Sequence, residues 1–462
     1  MERTPPPSGL TRRQWLAGAA GAGIAASALT GLGSRRRPPN LVLVLTDDQG
    51  YNDLGCYYTP GDPDAAYGGI RTPTLDRLAA EGVRLTSFYV AASVCTPSRA
   101  ALLTGCYPPR VGFGAMRGLG VLTPRSRIGL ARDEATLATV LKAGDYATAC
   151  IGKWHLGHHA PFHPLAHGFD TFFGIPWSAN QRPLRLWRDH SPLRRLDERP
   201  VLVDTFTDRA MAFVADHRDR PFFLYLAYSA PHVPWAVLPD FRGRSERGLY
   251  GDVIEMIDAH VGKLVAHLDR LGIAENTLLV FTSDTGPATG KRLGGSAYPF
   301  RGGKSTAFEG GFRSPCLWWG PDHLPAGVTR DGIVTALDVL PTITSRAGVV
   351  LPDRPIDGHD AWGTVASGAP SRTERFFYYG RGRLEAVRDA RYKLMFESAR
   401  RRPPVPRALF DLETDPRETS DVEPDHPAVV QGLEEAAAAM RTELGDALTD
   451  TEGRAVRAVG RI

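Results

Sequence analysis

Asp47-Asp48, Lys153 with His155, His232 and Asp284 each follow an apolar run of the sequence. Carboxylates, a lysine and two imidazoles are the side chains that hold a divalent cation, bind an oxyanion and move protons. Taken singly, each has a duller reading as a turn aspartate, a surface lysine or a histidine satisfied by backbone. Four apolar runs ending in such groups are harder to dismiss, because open α/β sheets bind ligands beyond the carboxyl ends of their strands. Three crowded carboxylates would repel and raise one another's pKa unless a cation held them. Asp47, Asp48 and Asp284, with no thiolate pair or histidine cluster beside them, suit calcium or magnesium better than zinc. Asp284 joins the other two only if its strand neighbours the first.

The segment Cys95-Thr96-Pro97-Ser98-Arg99-Ala100-Ala101-Leu102-Leu103-Thr104-Gly105 is the most specific in the chain. Pro97 is expected at the first helical position, Ala100 to Leu103 favour helix, and Gly105 can end it. Cys95 then sits at a helix N-terminus, where free N–H groups and the dipole attract an anion. Arg99 adds a planar cation one turn later. A small buried cysteine capping a helix is the plain alternative. A cysteine-dependent phosphatase is another, but its loop places five residues between Cys and Arg, and here there are three.

These groups need a scaffold. Asn40 to about Leu340 alternates apolar runs with amphipathic segments, the pattern of an α/β layer fold. Leu41 to Leu45, Tyr146 to Ile151, Phe222 to Tyr228 and Leu278 to Thr282 are expected strands covered on both faces. Ile257, Val261, Leu264, Leu268 and Leu271 form one helical stripe that Gly272 can cap. After Pro352 the character changes. Phe376 to Tyr379, Glu385 to Arg388, Tyr392 to Phe396 and Ala408 to Leu412 read as short strands, and Val429 to Leu444 as a helix. The expected division is 37–360 for the main layer and 361–462 for a smaller antiparallel α+β module.

The chain has 462 residues, enough for a large core and a smaller partner, and its net charge of +4 is small for that length. No zinc-finger spacing or aromatic-interleaved basic motif is present, so nucleic acid is not an expected partner. Arg12-Arg13-Gln14-Trp15-Leu16, followed by the mild Ala/Gly stretch Ala17 to Gly33, resembles a twin-arginine export signal within residues 1–36. Ala26-Ser27-Ala28 offers a cleavage site. The mature protein is expected outside the cytoplasmic membrane, in the extracellular, periplasmic or cell-wall space, having met the twin-arginine export machinery. If Cys95 is consumed chemically, Cys56, Cys106, Cys150 and Cys316 remain, as disulfides or as buried thiols.

The Cys95 segment resembles the formylglycine-encoding motif of type I sulfatases, C-x-P-S-R with a downstream L-T-G. Thr46 to Gly50, Gly152 to Gly157, His167 to Asp170, Pro231 to Pro234, Phe281 to Asp284, Lys304 with Glu309 to Gly311, and Leu409 to Leu412 with Asp415-Pro416 extend the likeness in order. It is nearest the arylsulfatase A and N-acetylgalactosamine-6-sulfatase group.

That resemblance implies an alkaline-phosphatase-like α/β fold, with a large mixed, mostly parallel sheet between helices. It implies hydrolysis of a small-molecule or carbohydrate sulfate ester. Cys95 would be oxidised to formylglycine by a formylglycine-generating enzyme, with Pro97 and Arg99 in its recognition element. Asp47, Asp48, Asp284 and the modified Cys95 would hold calcium, or magnesium as the alternative. Lys153 and Lys304 would hold sulfate oxygens, and Arg99 the aldehyde hydrate. His232 would protonate the leaving oxygen and His155 deprotonate the second hydroxyl. Thr285 stands where the family commonly has Asn as a further metal ligand, and a hydroxyl is the weaker donor. A phosphate or phosphonate ester hydrolase on the same fold is the alternative, and a non-catalytic relative would have lost groups that this chain keeps.

Overall fold

The computed structural model describes residues 37–61, 69–114, 120–197, 200–289, 294–398 and 404–462. The Arg12-Arg13 signal and its cleavage site lie outside them.

Strand β1, Asn40–Thr46, carries the run Leu41-Val42-Leu43-Val44-Leu45 and is buried at every position. Its odd residues enter one hydrophobic core and Val42 and Val44 a second. Successive side chains of a strand point to opposite faces, so a sheet covered on both sides demands such an unbroken run. The large sheet continues with β2 Val83–Leu85, β3 Ala147–Lys153, β4 Thr171–Ile175, β5 Arg185–Arg188, β6 Ser191–Arg195, β7 Phe222–Ala227, β8 Thr277–Ser283, β9 Cys316–Trp319 and β10 Val328–Arg330. Their spatial order is β10-β2-β9-β8-β1-β7-β3-β4-β5-β6. The five central strands, β8-β1-β7-β3-β4, are mutually parallel, with antiparallel pairings toward both edges. The four expected strands are all in this parallel centre.

Helices α1 Pro73–Ala80, α4 Val203–Asp216 and α5 Gly248–Arg270 supply Leu75, Phe206 and Ile257 to one core. Helices α2 Cys95–Thr104, α3 Leu137–Ala143 and α6 Val339–Ala347 supply Leu103, Leu141 and Ile343 to the other. The stripe expected on α5 is buried at Ile257, Val261, Leu264 and Leu268. Gly272, with φ 66°, donates to Asp269 O while Ile273 donates to Leu268 O, closing the helix by a left-handed cap.

The smaller sheet runs β11 Phe376–Gly380, β12 Arg383–Arg388, β13 Tyr392–Met395 and β14 Ala408–Asp411, antiparallel throughout, with helix α7 Pro427–Leu444 following. Phe376, Tyr378 and Leu394 share a core with α2 and α6, so Pro38–Ile462 forms one compact unit. The β5–β6 hairpin stands at one edge of the large sheet, and its Ser191–Arg195 arm is exposed throughout. Among the described residues no helix is long and apolar enough to cross a membrane. None of the five cysteines is in a disulfide; Cys95, Cys106, Cys150 and Cys316 are buried thiols.

Candidate active site

Parallel pairing sets Thr46 beside Ser283, so the residues that follow, Asp47-Asp48 and Asp284, emerge together. The junction is pinned by backbone: Asp284 N donates to Thr46 O at 3.0 Å, and Asp48 N to Asp284 Oδ1 at 3.2 Å. Asp48 turns through φ 66°, a left-handed conformation that Asp tolerates better than most side chains. The neighbouring strands needed for Asp284 to join Asp47 and Asp48 are therefore present.

On the other side of β1, β3 ends in Lys153. Gly152 immediately before it has φ 118°, and a Cβ there would fall 1.8 Å from Ala227 O of β7. Only glycine lets the two strands close at this point. Lys153 Nζ lies 2.7 Å from Asp47 Oδ2, and neither side chain is exposed. His155, at φ 61°, turns back so that Nε2 donates to Leu122 O at 2.9 Å. A carbonyl can only accept, so Nε2 carries the proton and Nδ1 is the free base.

Cys95 heads α2. The helix starts earlier than the sequence suggests, with Cys95 in the first helical position and Pro97 in the third. Proline is accommodated there because the first four helical N–H groups have no intrahelical partner, and the first bond runs from Ser98 N to Val94 O. Gly105, at φ 66°, closes the helix as expected. Cys95 Sγ is 3.5 Å from Asp47 Oδ1, 3.9 Å from Asp48 Oδ1 and 3.5 Å from Lys304 Nζ. Arg99 is wholly buried, with Nε donating to Asp284 Oδ2 at 2.8 Å and Nη1 to Lys153 O at 2.8 Å.

Lys304 Nζ meets Asp48 Oδ2 at 2.6 Å. His232 gives its Nδ1 proton to Val233 O at 2.7 Å, leaving Nε2 toward Asp48 Oδ2 at 3.5 Å. Thr285 Oγ1 is 3.0 Å from Asp48 Oδ1. Every site residue picked from the sequence thus lies in one cluster. Sequence reading missed the residues that hold them. Thr96 Oγ1 donates to His155 O and accepts from Leu122 N, both at 3.0 Å, and Ser178 Oγ lies 3.4 Å from Lys153 Nζ. Thr96 was legible as part of the Cys95 segment; Ser178 sits in an aperiodic loop that carries no such signal.

The electrostatics are those of a dry, densely charged pocket. Burial would raise Asp47, yet Lys153, His232, Arg99 and Lys304 together hold it well below the usual carboxylate range. Asp284 is pushed up to about 6 by burial, against the pull of Arg99. Burial also pushes the Cys95 thiol up to about 12, so almost none of it is thiolate at neutral pH and it is a poor nucleophile as it stands. Burial, helped by Lys153, keeps His155 neutral far below its ordinary pKa. Arg99 Nη2 and His155 Nδ1 are both buried without a hydrogen-bond partner. Nη2 is 3.6 Å from Asp47 Oδ1, an ion pair without hydrogen-bond geometry, so one donor and one acceptor remain to be satisfied in a buried site, as a ligand would do.

The ligand atoms of Asp47, Asp48, Cys95 and Asp284 all lie within 4.8 Å of one another. Three hard carboxylates at that spacing fit an oxygen-loving divalent cation, which would also relieve the cost of charging Asp284.

A pocket that aims this many cations at one small volume, beside carboxylates able to share a metal, defines a hydrolase of tetrahedral oxyanion esters. Comparison narrows the class. The family model described as Sulfatase matches residues 39–349. The chain is 40% identical to N-acetylgalactosamine-6-sulfatase of Sus scrofa over 398 residues, 81% of this chain and 74% of that protein. It is 40% identical to arylsulfatase A of Homo sapiens over 394 residues, 78% of this chain and 75% of that one. Among solved structures, Ps i-CgsB in complex with k-i-k-neocarrahexaose superposes with a TM-score of 0.75 at 29% identity, covering 87% of this chain and 93% of the other. Phosphonate monoester hydrolase of Agrobacterium radiobacter shares the fold alone, at 20% identity and a TM-score of 0.61 over 87% of this chain and 95% of that one. The chain belongs to the sulfatase family and is a sulfuric ester hydrolase with the alkaline-phosphatase-like fold.

Proposed function

We propose that this sulfatase is exported and hydrolyses aryl or carbohydrate sulfate monoesters, with Cys95 converted to formylglycine and calcium bound by Asp47, Asp48 and Asp284. The observation that carries the reading is the placement of the buried Cys95 thiol at the head of α2, 3.5 Å from Asp47 Oδ1, 3.9 Å from Asp48 Oδ1 and 3.5 Å from Lys304 Nζ. A thiol so placed is a precursor rather than a nucleophile.

Formylglycine supplies, as its hydrate, two hydroxyls on one carbon, one to accept the sulfuryl group and one to release it. Calcium, or magnesium in its place, supplies charge stabilisation at the sulfate oxygens. The rest falls to side chains of this chain. Lys153 and Lys304 hold sulfate oxygens, their ammonium groups already directed inward by Asp47 and Asp48. Arg99, fixed by Asp284 and by Lys153 O, keeps Nη2 within 3.6 Å of Asp47 Oδ1, the carboxylate oxygen that also faces the group at position 95. His155 Nδ1 accepts a proton, because Nε2 is committed to Leu122 O. His232 Nε2, once the ring has taken a second proton beside Asp48, delivers that proton to the leaving oxygen, since Nδ1 is committed to Val233 O. Thr285, whose Oγ1 is 3.0 Å from Asp48 Oδ1, would offer the metal a weak hydroxyl ligand.

Carbohydrate sulfates are favoured as substrates by the pig relative's name and by the oligosaccharide in the Ps i-CgsB complex. The test is sulfate release by purified mature protein from aryl, sugar and alkyl sulfates, set against aryl phosphate and phosphonate. Preference for a sulfate by a factor of ten or more is expected; faster turnover of the phosphonate would reverse the assignment.

Maturation by a formylglycine-generating enzyme requires an accessible Cys95 segment, whereas twin-arginine export carries folded cargo, so modification precedes transport. Replacing Arg12 and Arg13 by Lys should strand active enzyme in the cytoplasm. Undiminished export of that variant, followed by fractionation and activity, would refute the route.

A further inference from the structure

Beside the charged pocket lies a cavity of about 340 Å³. One wall is Val94 and Pro97 at the head of α2; another is apolar, with Pro109 and Phe113; the third is Tyr379 and Arg381 from the small sheet. The volume is in the range of small-molecule sites, and its lining residues Val94 and Pro97 flank Cys95 in the chain.

Arg381 is the anomaly. It and Gly382 form the two-residue turn between β11 and β12, with Gly380 paired to Arg383 across it. Both central residues have positive φ, 55° at Arg381 and 76° at Gly382, as a type I′ turn requires. Asn, Asp or Gly belongs at the first of these positions, and an arginine there is held in a strained backbone conformation. Its neighbour Arg383 is spent, with Nη2 2.9 Å from Glu385 Oε1 and Nε donating to Gly380 O at 3.2 Å. Arg381 is exposed and makes no hydrogen bond or ion pair among the described residues. Its side chain nevertheless leans toward the site. A Cβ built on Gly120 would be 3.8 Å from Arg381 Nε and 3.8 Å from Val94 Cγ2, the residue before Cys95. A guanidinium at a left-handed turn position on a cavity wall, without a partner among the described residues, is the kind of outlier from which function is inferred.

We infer that Arg381 binds a second anionic group on the alcohol portion of the substrate, making this a sulfatase selective for dianionic esters. The inference rests on the sulfatase reading above and adds a specificity residue to it. While the pocket holds the reacting sulfate, the cavity takes the alcohol portion against Pro109 and Phe113. Arg381 then meets a carboxylate or a second sulfate at the far end; its planar fork suits either group bidentately.

The test uses sulfonates, which cannot be hydrolysed and so report binding whether or not Cys95 is matured. Calorimetry would compare benzenesulfonate with meta-benzenedisulfonate and meta-sulfobenzoate. The wild type should bind at least one of the dianions about tenfold more tightly than the monoanion, a usual size for an added charge-assisted pair. The disulfonate arm tells a sulfate partner from the carboxylate arm. Arg381→Asn should bring that ratio close to one while holding or raising the melting temperature, because Asn suits the turn better than Arg. Arg381→Lys, which keeps the charge, should retain part of the preference. A ratio near one in the wild type, or one that survives in Arg381→Asn, would overturn the proposal. Failure of the underlying reading shows separately, as no release of para-nitrophenol from its sulfate by a protein that still prefers dianions.

Discussion

Lys153 and Asp47 form an ion pair of 2.7 Å in which neither side chain reaches solvent, joining the carboxyl ends of β3 and β1 across the intervening β7. The second lysine–aspartate pair of the site, Lys304 with Asp48, is as short at 2.6 Å, but Lys304 is 18% exposed. The two lysines would both grip sulfate, yet only one is part of the core. Lys153→Ala leaves a buried Asp47 without its nearest cation and should lower stability by about 3–5 kcal/mol. Lys304→Ala should cost much less, because water can replace the lost charge. Each should reduce kcat by roughly a hundredfold, the usual scale for one oxyanion donor. Urea unfolding beside steady-state kinetics separates the two; equal destabilisation by both changes would contradict the distinction.

Thr285 tests the metal site. Its hydroxyl is 3.0 Å from Asp48 Oδ1, one member of the group formed by Asp47, Asp48, Cys95 and Asp284. A chelator should lower activity, and added calcium or magnesium should restore it. Thr285→Asn offers an amide carbonyl in place of a hydroxyl and should tighten metal binding several-fold by direct titration. Purified active enzyme without bound metal, by elemental analysis, would exclude the site.

Acid stability follows from buried imidazoles. Burial lowers His163 and His167 to about 4, with the nearby His190 adding to the effect on His163. A histidine with a depressed folded pKa stays neutral in the native state while the unfolded chain takes up its proton. Its contribution is therefore complete above about pH 6.5 and is lost as pH falls toward 4. Each site is worth at most about 3 kcal/mol over that window. The His167 ring packs 5.8 Å from the Trp154 ring, and both its nitrogens are buried without a partner in hydrogen-bond geometry. His167→Phe should therefore flatten the acid limb of the stability curve by about one proton, measured as unfolding free energy between pH 7 and 4. An unchanged acid slope would show that His167 does not titrate in this range.

Much of this was legible in the sequence, for identifiable reasons. Doubly covered strands must be continuously apolar, so Leu41 to Leu45 and Leu278 to Thr282 announced themselves, and polar residues just past them could only lie at the sheet's carboxyl edge. Strand order was not legible, since adjacency of β1 and β8 arises from a pairing more than two hundred residues apart in sequence, Thr46 with Ser283. The start of α2 was misplaced because proline's fixed φ suits several first-turn positions, and the first four N–H groups have no partner to lose. Ser178 and Arg381 were invisible for another reason. Their roles depend on where a loop and a turn are carried by elements far away, and neither position has a period or motif to betray it.

Cys95→Ser offers the most direct test of the chemistry. The Cys95 thiol is buried, is pushed up to about 12, and has Lys304 Nζ 3.5 Å away on one side and Asp47 Oδ1 3.5 Å away on the other. It is positioned for attack but is protonated. Serine would occupy the same place at the head of α2 and could present a hydroxyl to sulfur, with Lys153 and Lys304 still in position. Its single hydroxyl could accept the sulfuryl group once. Release by breaking the C–O bond needs a second hydroxyl on the same carbon, which an aldehyde hydrate has and serine lacks. Expressed where serine is left unmodified, the variant should show one burst of alcohol release, at most one per enzyme, and then arrest. Cys95→Ala should give no burst at all. In the wild type, the tryptic peptide containing position 95 should be lighter than the cysteine form, or near its mass if hydrated. Sustained wild-type turnover by the serine variant, with unmodified serine confirmed by mass, would mean that the second hydroxyl is not required and that Cys95 acts by another route.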